Sequence, residues 1–254
     1  MTWKKCWKDK ERETARGVIM KQERIDQAEE YSKALQGKSV EKRLLLAYKK
    51  YGKKLGMTTG LGYSGMVLMH HIYKLGLDMD LYFIDTGFHF KETLDLLEEV
   101  KDRWKLNIVN LENDMDLKEY ISKTLGNTPW KHNPNLCCHY CKISPLIKIL
   151  SKKDAWISAI RRDQTYDRSS IDYVELDGRG TLRIYPMADW DKKKTWKYIK
   201  ENDIPYNPLH DKGYMSIGCE PCTAPTSAME DERDGRWKSS PKFDCGIHMH
   251  KPVK

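Results

Sequence analysis

The chain contains no apolar stretch that approaches the roughly 20 residues that a membrane-spanning helix needs. Basic residues stand at its beginning, but no apolar core follows them, so we expect no secretory signal. It shows no internal repeat and no stretch in which basic and aromatic residues interleave as on a nucleic-acid surface. These absences lead us to expect a cytoplasmic protein that makes no contact with a membrane.

The composition is that of an ordinary globular protein with an excess of positive charge. Of the 254 residues, 39% are hydrophobic and 32% are charged, which is enough for a sizeable core in one large or two small domains. The formal net charge of +8 favours anionic partners such as nucleotides, sulfate, nucleic acid or acidic proteins. Charge alone does not choose among these partners.

The cysteines are unevenly spaced, which argues against a disulfide framework. They comprise one near the start, a group of three, a C-x-x-C pair and one near the end, namely Cys6, Cys137, Cys138, Cys141, Cys219, Cys222 and Cys245. Thiols stay reduced in the cytoplasm, so grouped cysteines there indicate metal ligation or redox chemistry.

The pattern of apolar residues predicts an α/β fold. A charged helical region covers residues 1–55, and short apolar runs such as 81–84 and 155–160 then predict buried strands that alternate with helices. This alternation is typical of βαβ units around a parallel sheet. Alternating polar and apolar residues around Asp177-Gly178 predict a hairpin. We expect an α/β domain over 56–222 and a flexible, functional C-terminal tail over 223–254.

Ligands of an open α/β sheet bind beyond the carboxyl ends of its strands. Three predicted loops lie at such ends, over residues 60–64, 85–90 and 161–168. Gly60 and Gly62 would let backbone N–H groups approach an anion, and the helix that follows would offer its positive end. Glycines after a strand are as often plain turns, so this loop alone does not define a site.

Several motifs follow one another in a distinctive order. They are D-T-G at 85–87, I-R-R-D-Q at 160–164, the long run 203–214 with S-I-G-C-E-P-C-T at 216–223, E-D-E-R at 230–233, G-R-W at 235–237 and C-G-I-H at 245–248. Together they resemble the assimilatory adenylyl-sulfate and phosphoadenylyl-sulfate reductases over about residues 58–248. The resemblance implies an adenine-nucleotide α-hydrolase-like (Rossmann-like) core. It also implies reduction of adenosine 5′-phosphosulfate (APS), or of its 3′-phospho form (PAPS), to sulfite.

The same resemblance implies which residues meet the substrate. The residues that it assigns to the substrate site are Gly60, Gly62, Ser64, Asp85, Thr86, Gly87, Lys142, Arg161, Arg162, Arg233 and Arg236. Lys142 would lie between the substrate and a metal cluster, and Arg233 and Arg236 would clamp the phosphosulfate. Arginine holds phosphate oxygens in a fork, whereas lysine acts as a point charge.

The chemistry of sulfate reduction points to Cys245 as the nucleophile. A thiolate can attack the hexavalent sulfur, expel AMP or PAP and remain as an S-sulfonate, which an external dithiol then cleaves. Cys245 has no cysteine near it in sequence, so we expect thioredoxin or a glutaredoxin-like protein to supply the second thiol. His248 and nearby basic residues would lower the pKa of the thiol, so Cys245 and His248 are the predicted catalytic residues.

Cys137, Cys138, Cys219 and Cys222 resemble the ligands of the subgroup that holds a 4Fe–4S cluster. Four cysteines suit zinc as well as iron–sulfur clusters, and C-x-x-C occurs a second time at Cys138 and Cys141. Adjacent cysteines are unusual in a zinc site, and a zinc ribbon separates its pairs by only about 15–20 residues. The spacing therefore favours iron and sulfide.

Three positions depart from the family pattern. Cys141 stands where an arginine is usual, and it could be an alternative cluster ligand, a lost phosphate contact or a neutral change. The loop 60–65 departs from the usual serine-rich version, and Ala224 stands where a basic residue is common. These departures leave the choice between APS and PAPS open.

Two other functions compete with this interpretation. A tRNA-thiolation-type ATP pyrophosphatase would need an S-G-G-x-D-S-like loop, which residues 60–65 do not provide. A zinc-stabilised nucleic-acid-binding module would use the C-x-x-C pairs and the positive charge. The sequence leaves the oligomeric state open, a homo-oligomer included.

Overall fold

The computed structural model describes residues 21–112, 115–178, 180–226, 231–238, 240, 242 and 244–247, without the side chains of 115–118. Cys6 and the predicted catalytic residue His248 lie outside the described residues. Among those described, no helix combines the length and the apolar character that crossing a membrane requires.

Two helices precede the sheet, as predicted for the N-terminal region. The first, α1, runs through residues 21–35, and α2 spans Val40–Tyr51. Ser39 caps α2, because its hydroxyl accepts a hydrogen bond from the Lys42 amide. Leu44 is fully buried, so α2 packs its apolar face against the domain.

Six strands of the described chain form one sheet in the order β3-β2-β1-β4-β6-β5. They are β1 (Leu55–Thr59), β2 (Asp80–Asp85), β3 (Ile108–Glu112), β4 (Ala155–Ile157), β5 (Val174–Leu176) and β6 (Leu182–Ile184). All neighbouring pairs are parallel except β5 and β6, which form the predicted hairpin. The expected α/β fold around a parallel sheet is confirmed.

Helices cover both faces of this sheet. After α2 come α3 (Tyr63–Lys74), α4 (Lys91–Trp104), α5 (Met115–Leu125), α6 (Pro129–His132), α7 (Pro134–Cys138), α8 (Ser144–Leu150) and α9 (Lys192–Glu201). Successive side chains of a strand point to opposite faces. Leu81 and Phe83 of β2 accordingly pack into the main core with α3 and α4, whereas Tyr82 and Ile84 pack with Leu146 of α8.

The strand order reverses beside β1. The chain moves from β1 through β2 to β3 on one side and then places β4 on the other side of β1. The carboxyl ends of β1 and β4 therefore border a crevice at the topological switch point, where open α/β folds bind their ligands.

Candidate active site

A cavity of about 230 Å³ opens at this switch point. Gly60, Gly62 and Ser64 line it from the loop after β1, and Ser158 and Ile160 line it from the end of β4. Gly62 is the N-cap of α3 and no side chain caps this helix, so its first backbone N–H groups are available to an anionic ligand.

The C-terminal segment forms another part of the cavity wall. Residues 231–238 fold back onto the domain, where Thr223 and Arg236 form an antiparallel bridge and Trp237 is buried. Further along, Cys245 and Ile247 also line the cavity, and Ile247 packs against the core beside β2 and β3. The predicted nucleophile thus lies in the same cavity as the glycine loop, although 185 positions separate Cys245 from Gly60.

Lys142 lies between this cavity and a second one. It is buried and lines both the switch-point cavity and a narrow cavity surrounded by cysteines. Burial lowers the pKa of its ammonium, but Cys219 and Cys245 raise the pKa by more, so Lys142 stays charged. Lys142 therefore lies where the two cavities meet.

Other cations of the cavity gather around Cys245. Arg233 and Arg168 each lie 3.7 Å from the carboxylate of Asp244, and the half-buried Arg236 lines the same cavity as Cys245. Burial and the charge of Arg233 lower the pKa of Arg168 to about 10, which leaves Arg168 a cation at neutral pH. Arg233 and Arg236 were predicted site residues.

Arg236 owes its position to a glycine. A Cβ added to Gly218, in the S-I-G-C motif, would overlap the guanidinium of Arg236. The motif therefore keeps a bare backbone where the arginine passes, and this explains locally why Gly218 precedes Cys219.

Arg168 and Gln164 are site residues that the sequence reasoning missed. Both line the cavity, and Arg168 donates a 2.7 Å hydrogen bond to the Gln164 side chain. Both lie in loop 161–168, which follows a strand, and that placement was the available signal. The sequence analysis instead assigned substrate binding to Arg161 and Arg162, which come earlier in the same loop.

Arg161 is not among the side chains that line the cavity. It is fully buried and donates hydrogen bonds to Ser64, Tyr63 and Glu232, at 2.7 Å to the Tyr63 hydroxyl and 2.9 Å to Glu232. Asp163 also pairs with it at 2.8 Å. Arg161 thus ties the loops after β1 and β4 to the C-terminal segment, and in this structure it positions the site rather than facing the ligand.

Arg162 points away from the cavity. Its Nε donates a 2.8 Å hydrogen bond to the Ile171 carbonyl, and its guanidinium lies over the Tyr173 ring, 4.8 Å from the centroid. The structure therefore does not bring this predicted substrate ligand to the site, because a local contact takes up its guanidinium.

The D-T-G loop supports the cysteine site instead of the switch-point cavity. The Asp85 carboxylate accepts a hydrogen bond from the Gly87 amide at 2.9 Å, closing a turn in which Gly87 adopts a φ of 74°. Thr86 places its hydroxyl 3.3 Å from the Cys219 sulfur. The predicted ligands Asp85, Thr86 and Gly87 are not among the residues lining the cavity at the switch point.

Five cysteines converge on the second cavity. They are the predicted ligands Cys137, Cys138, Cys219 and Cys222, together with Cys141. The helical stretch from α7 through a π turn (His139–Ile143) supplies three of them, and the 3₁₀ turn at Glu220–Cys222 helps to place the C-x-x-C pair. π turns often mark functional sites.

The chemistry of this donor set fits a thiolate-bound metal group. Apolar side chains, including Phe88 and Trp130, complete the wall, and burial raises the pKa of Cys138 to about 12, as expected for an inert thiol without a metal. In the described part of the chain, no three His, Cys, Asp or Glu side chains surround a point suited to a single metal ion. These soft donors suit a thiolate-bound metal group such as zinc or an iron–sulfur cluster.

Fold and site together define a class of α/β proteins with a ligand cavity at the switch point of a parallel sheet and a cysteine in the cavity wall. The sequence model of the phosphoadenosine phosphosulfate reductase domain matches residues 54–225. The chain belongs to this family. The resemblance inferred from the motifs is thereby confirmed, and the thiolation enzyme and the zinc module are set aside.

Curated relatives match most of the chain. Adenosine 5′-phosphosulfate reductase 2 of Bacillus subtilis is 46% identical over 205 residues, covering 80% of this chain and 86% of the relative. Adenosine 5′-phosphosulfate reductase of Halalkalibacterium halodurans is 42% identical over 222 residues, covering 87% and 96%.

Solved structures show the same fold. The phosphoadenylyl-sulfate reductase of Candida auris, in a phosphate complex, superposes with a TM-score of 0.68 at 29% identity, covering 78% of this chain and 96% of that one. The FMN adenylyltransferase of Candida glabrata reaches 0.53 at 13% identity, covering 80% and 75%, and shows likeness of fold alone.

Proposed function

We propose that this protein reduces adenosine 5′-phosphosulfate to sulfite and AMP, with Cys245 as the nucleophile. The observation that carries the proposal is that Cys245 shares the switch-point cavity with the glycine loop and with Lys142, Arg168, Arg233 and Arg236. The names of the Bacillus relatives support the same substrate.

The reaction takes place in two displacements. The Cys245 thiolate forms a bond to the sulfur of APS while the bond from that sulfur to the phosphate oxygen breaks, and AMP leaves with the electron pair. A dithiol then attacks Cys245 Sγ of the S-sulfonate and releases sulfite, and its second thiol closes a disulfide and frees the Cys245 thiol. Sulfur passes from S(VI) to S(IV), and the dithiol is oxidised.

The chain's own residues bind and stabilise the reacting group. Arg168, Arg233 and Arg236 hold the phosphosulfate oxygens, and Lys142 neutralises the charge that develops on the phosphate as AMP leaves. The glycine loop offers backbone N–H groups to the nucleotide. Arg161 pairs with Glu232 and thereby fixes the position of the C-terminal segment relative to this loop.

A 4Fe–4S cluster held by Cys137, Cys138, Cys219 and Cys222 is the proposed cofactor. Bound there, it would act on the substrate site electrostatically, because the dithiol supplies both electrons of the reaction. The chemistry of the donor set and the burial of these thiols support the assignment.

The arrangement of charge favours APS over PAPS. Among the described residues, the cations that line the cavity are Lys142, Arg168, Arg233 and Arg236, and they interact with Cys245 or with its neighbour Asp244. They are thus engaged around the reacting sulfur, which leaves none of them to neutralise a phosphate on the ribose. A free 3′-hydroxyl needs no such partner.

The reductant is a separate dithiol protein of the thioredoxin or glutaredoxin type, which places the reaction in the reducing cytoplasm. Cys245 is the only cysteine among the described residues that line the switch-point cavity. An external dithiol supplies the second thiol in the proposed reaction.

Sulfite release tests the proposal. The assay compares APS with PAPS in the presence of thioredoxin, using the wild-type protein, Cys245→Ser and a matched control, Cys6→Ser. We expect faster release from APS, wild-type activity in Cys6→Ser and none in Cys245→Ser. Equal activity in Cys245→Ser would refute the role of this thiol, and faster release from PAPS would refute the substrate.

A further inference from the structure

The cysteine cavity contains one thiol more than a four-cysteine cluster uses. Cys137, Cys138, Cys141 and Cys219 are each at most 7% exposed, and Cys222 is half-buried beside them. Such a cluster takes one thiolate for each of its four irons. One of the five thiols is therefore surplus, and the contacts indicate which position has two candidates.

Cys137 and Cys141 are two candidates for the same ligand position of the cluster. They are four positions apart on the helical stretch that passes from α7 into the π turn, and their side chains hydrogen-bond to each other. Side chains at this separation lie on one face of a helix. Because Cys137 and Cys141 lie one helical turn apart and both line the cavity, either one can supply the thiolate for a single corner of a cluster.

The other three cysteines are placed separately. Cys219 is held by the Thr86 hydroxyl, and the Cys222 amide donates a 3.0 Å hydrogen bond to the Cys219 carbonyl, which fixes the C-x-x-C turn. Cys138 follows Cys137 directly and faces Cys219 and Lys142. None of these three has a second thiol in hydrogen-bond contact among the described residues.

We propose that Cys137 and Cys141 are interchangeable ligands for one position of the cluster, an inference that rests on the proposed cofactor. The chain then keeps its cluster when either thiol is lost, whereas loss of Cys138 leaves a position that no other thiol fills. The cysteine at position 141 is thus a reserve ligand.

Iron and acid-labile sulfide per chain, with the visible absorption of the cluster, test this in anaerobically purified protein. The variants are Cys137→Ala, Cys141→Ala, the double variant and the matched control Cys138→Ala, each checked for folding by circular dichroism. We expect both single variants to keep most of their iron and sulfide, and the double variant and Cys138→Ala to lose nearly all of theirs.

Three results would overturn the inference. A folded Cys137→Ala protein as poor in iron as Cys138→Ala would show that Cys141 does not replace Cys137. A double variant that keeps its cluster would show that neither thiol is a ligand. Wild-type protein without iron and sulfide would refute the proposed cofactor as well, and that failure is recognised from the wild type alone.

Discussion

Arg161 and Glu232 form a buried ion pair, with 2.9 Å between Nη2 and Oε2, although 71 positions separate them in the chain. The Tyr63 hydroxyl accepts a hydrogen bond from Arg161 and donates one of 2.6 Å to Glu232. Three segments therefore meet at one point: the loop after β1, the loop after β4 and the C-terminal segment. Because Glu232 immediately precedes Arg233, this pair determines where the cationic wall of the cavity lies.

Removal of the Glu232 carboxylate tests this connection. In Glu232→Ala, Arg161 keeps Asp163 but its buried donors lose one acceptor, so we expect a loss of about 1–3 kcal/mol in the free energy of unfolding. Urea denaturation measures this loss. The matched control is Glu98→Ala, which removes the exposed pair with Lys101 and should change stability by less than about 1 kcal/mol. Equal effects in the two variants would show that the buried pair does not hold the segments together.

Arg168 and Arg162 provide a matched pair of variants that tests which arginine binds the substrate. Arg168 lines the cavity, so Arg168→Ala should lower kcat/KM by about 10- to 100-fold, the effect of losing a hydrogen bond to a charged group. Arg162→Ala removes contacts to Ile171 and Tyr173 and should leave kcat/KM within about twofold when the protein is folded. Steady-state kinetics with APS separates them. A larger loss in Arg162→Ala would contradict the observed placement of the two side chains.

Buried histidines should make the fold sensitive to acid. Burial lowers the pKa of His71 and of His210 to about 4, from an ordinary value of 6.5. Between these pH values the unfolded chain binds protons that the folded one does not, so stability falls as the pH drops from 6.5 towards 4. The loss approaches about 3 kcal/mol for each group.

Urea denaturation over this pH range measures the effect. His71→Gln removes one of the two groups and should flatten the dependence, although Glu41 lies 3.1 Å from the imidazole and partly favours its charged form. An unfolding free energy that stays constant from pH 6.5 to 4, or rises on acidification, would contradict the assignment.

Periodicity predicts the sheet and most helices because burial of one face leaves a regular pattern in the sequence. In α4 (Lys91–Trp104), the buried residues Leu96, Leu97, Val100 and Trp104 recur at helical spacing. The strand predicted over 155–160 ends at Ile157, since Ala159 and Ile160 leave the sheet and line the cavity. Their apolar character reflects burial in a cavity wall, which composition does not distinguish from burial in a sheet.

The motifs locate the site but do not assign a partner to each side chain. Arg161 is suited by its chemistry to an anionic ligand, but the carboxylates of Asp163 and Glu232 already take up its guanidinium. Thr86 meets Cys219 across 133 positions, a contact that depends on how the chain packs. Arg168 was not predicted, because the sequence does not distinguish a buried arginine that lines a cavity from an arginine on the protein surface.

Mass spectrometry of the protein after incubation with APS, with every dithiol withheld, tests the central claim most directly. The account predicts one added sulfonate on the peptide that contains Cys245, lost again when thioredoxin is supplied and absent from Cys245→Ser. Protein that stays unmodified under these conditions, or a sulfonate that appears equally in Cys245→Ser, would contradict it.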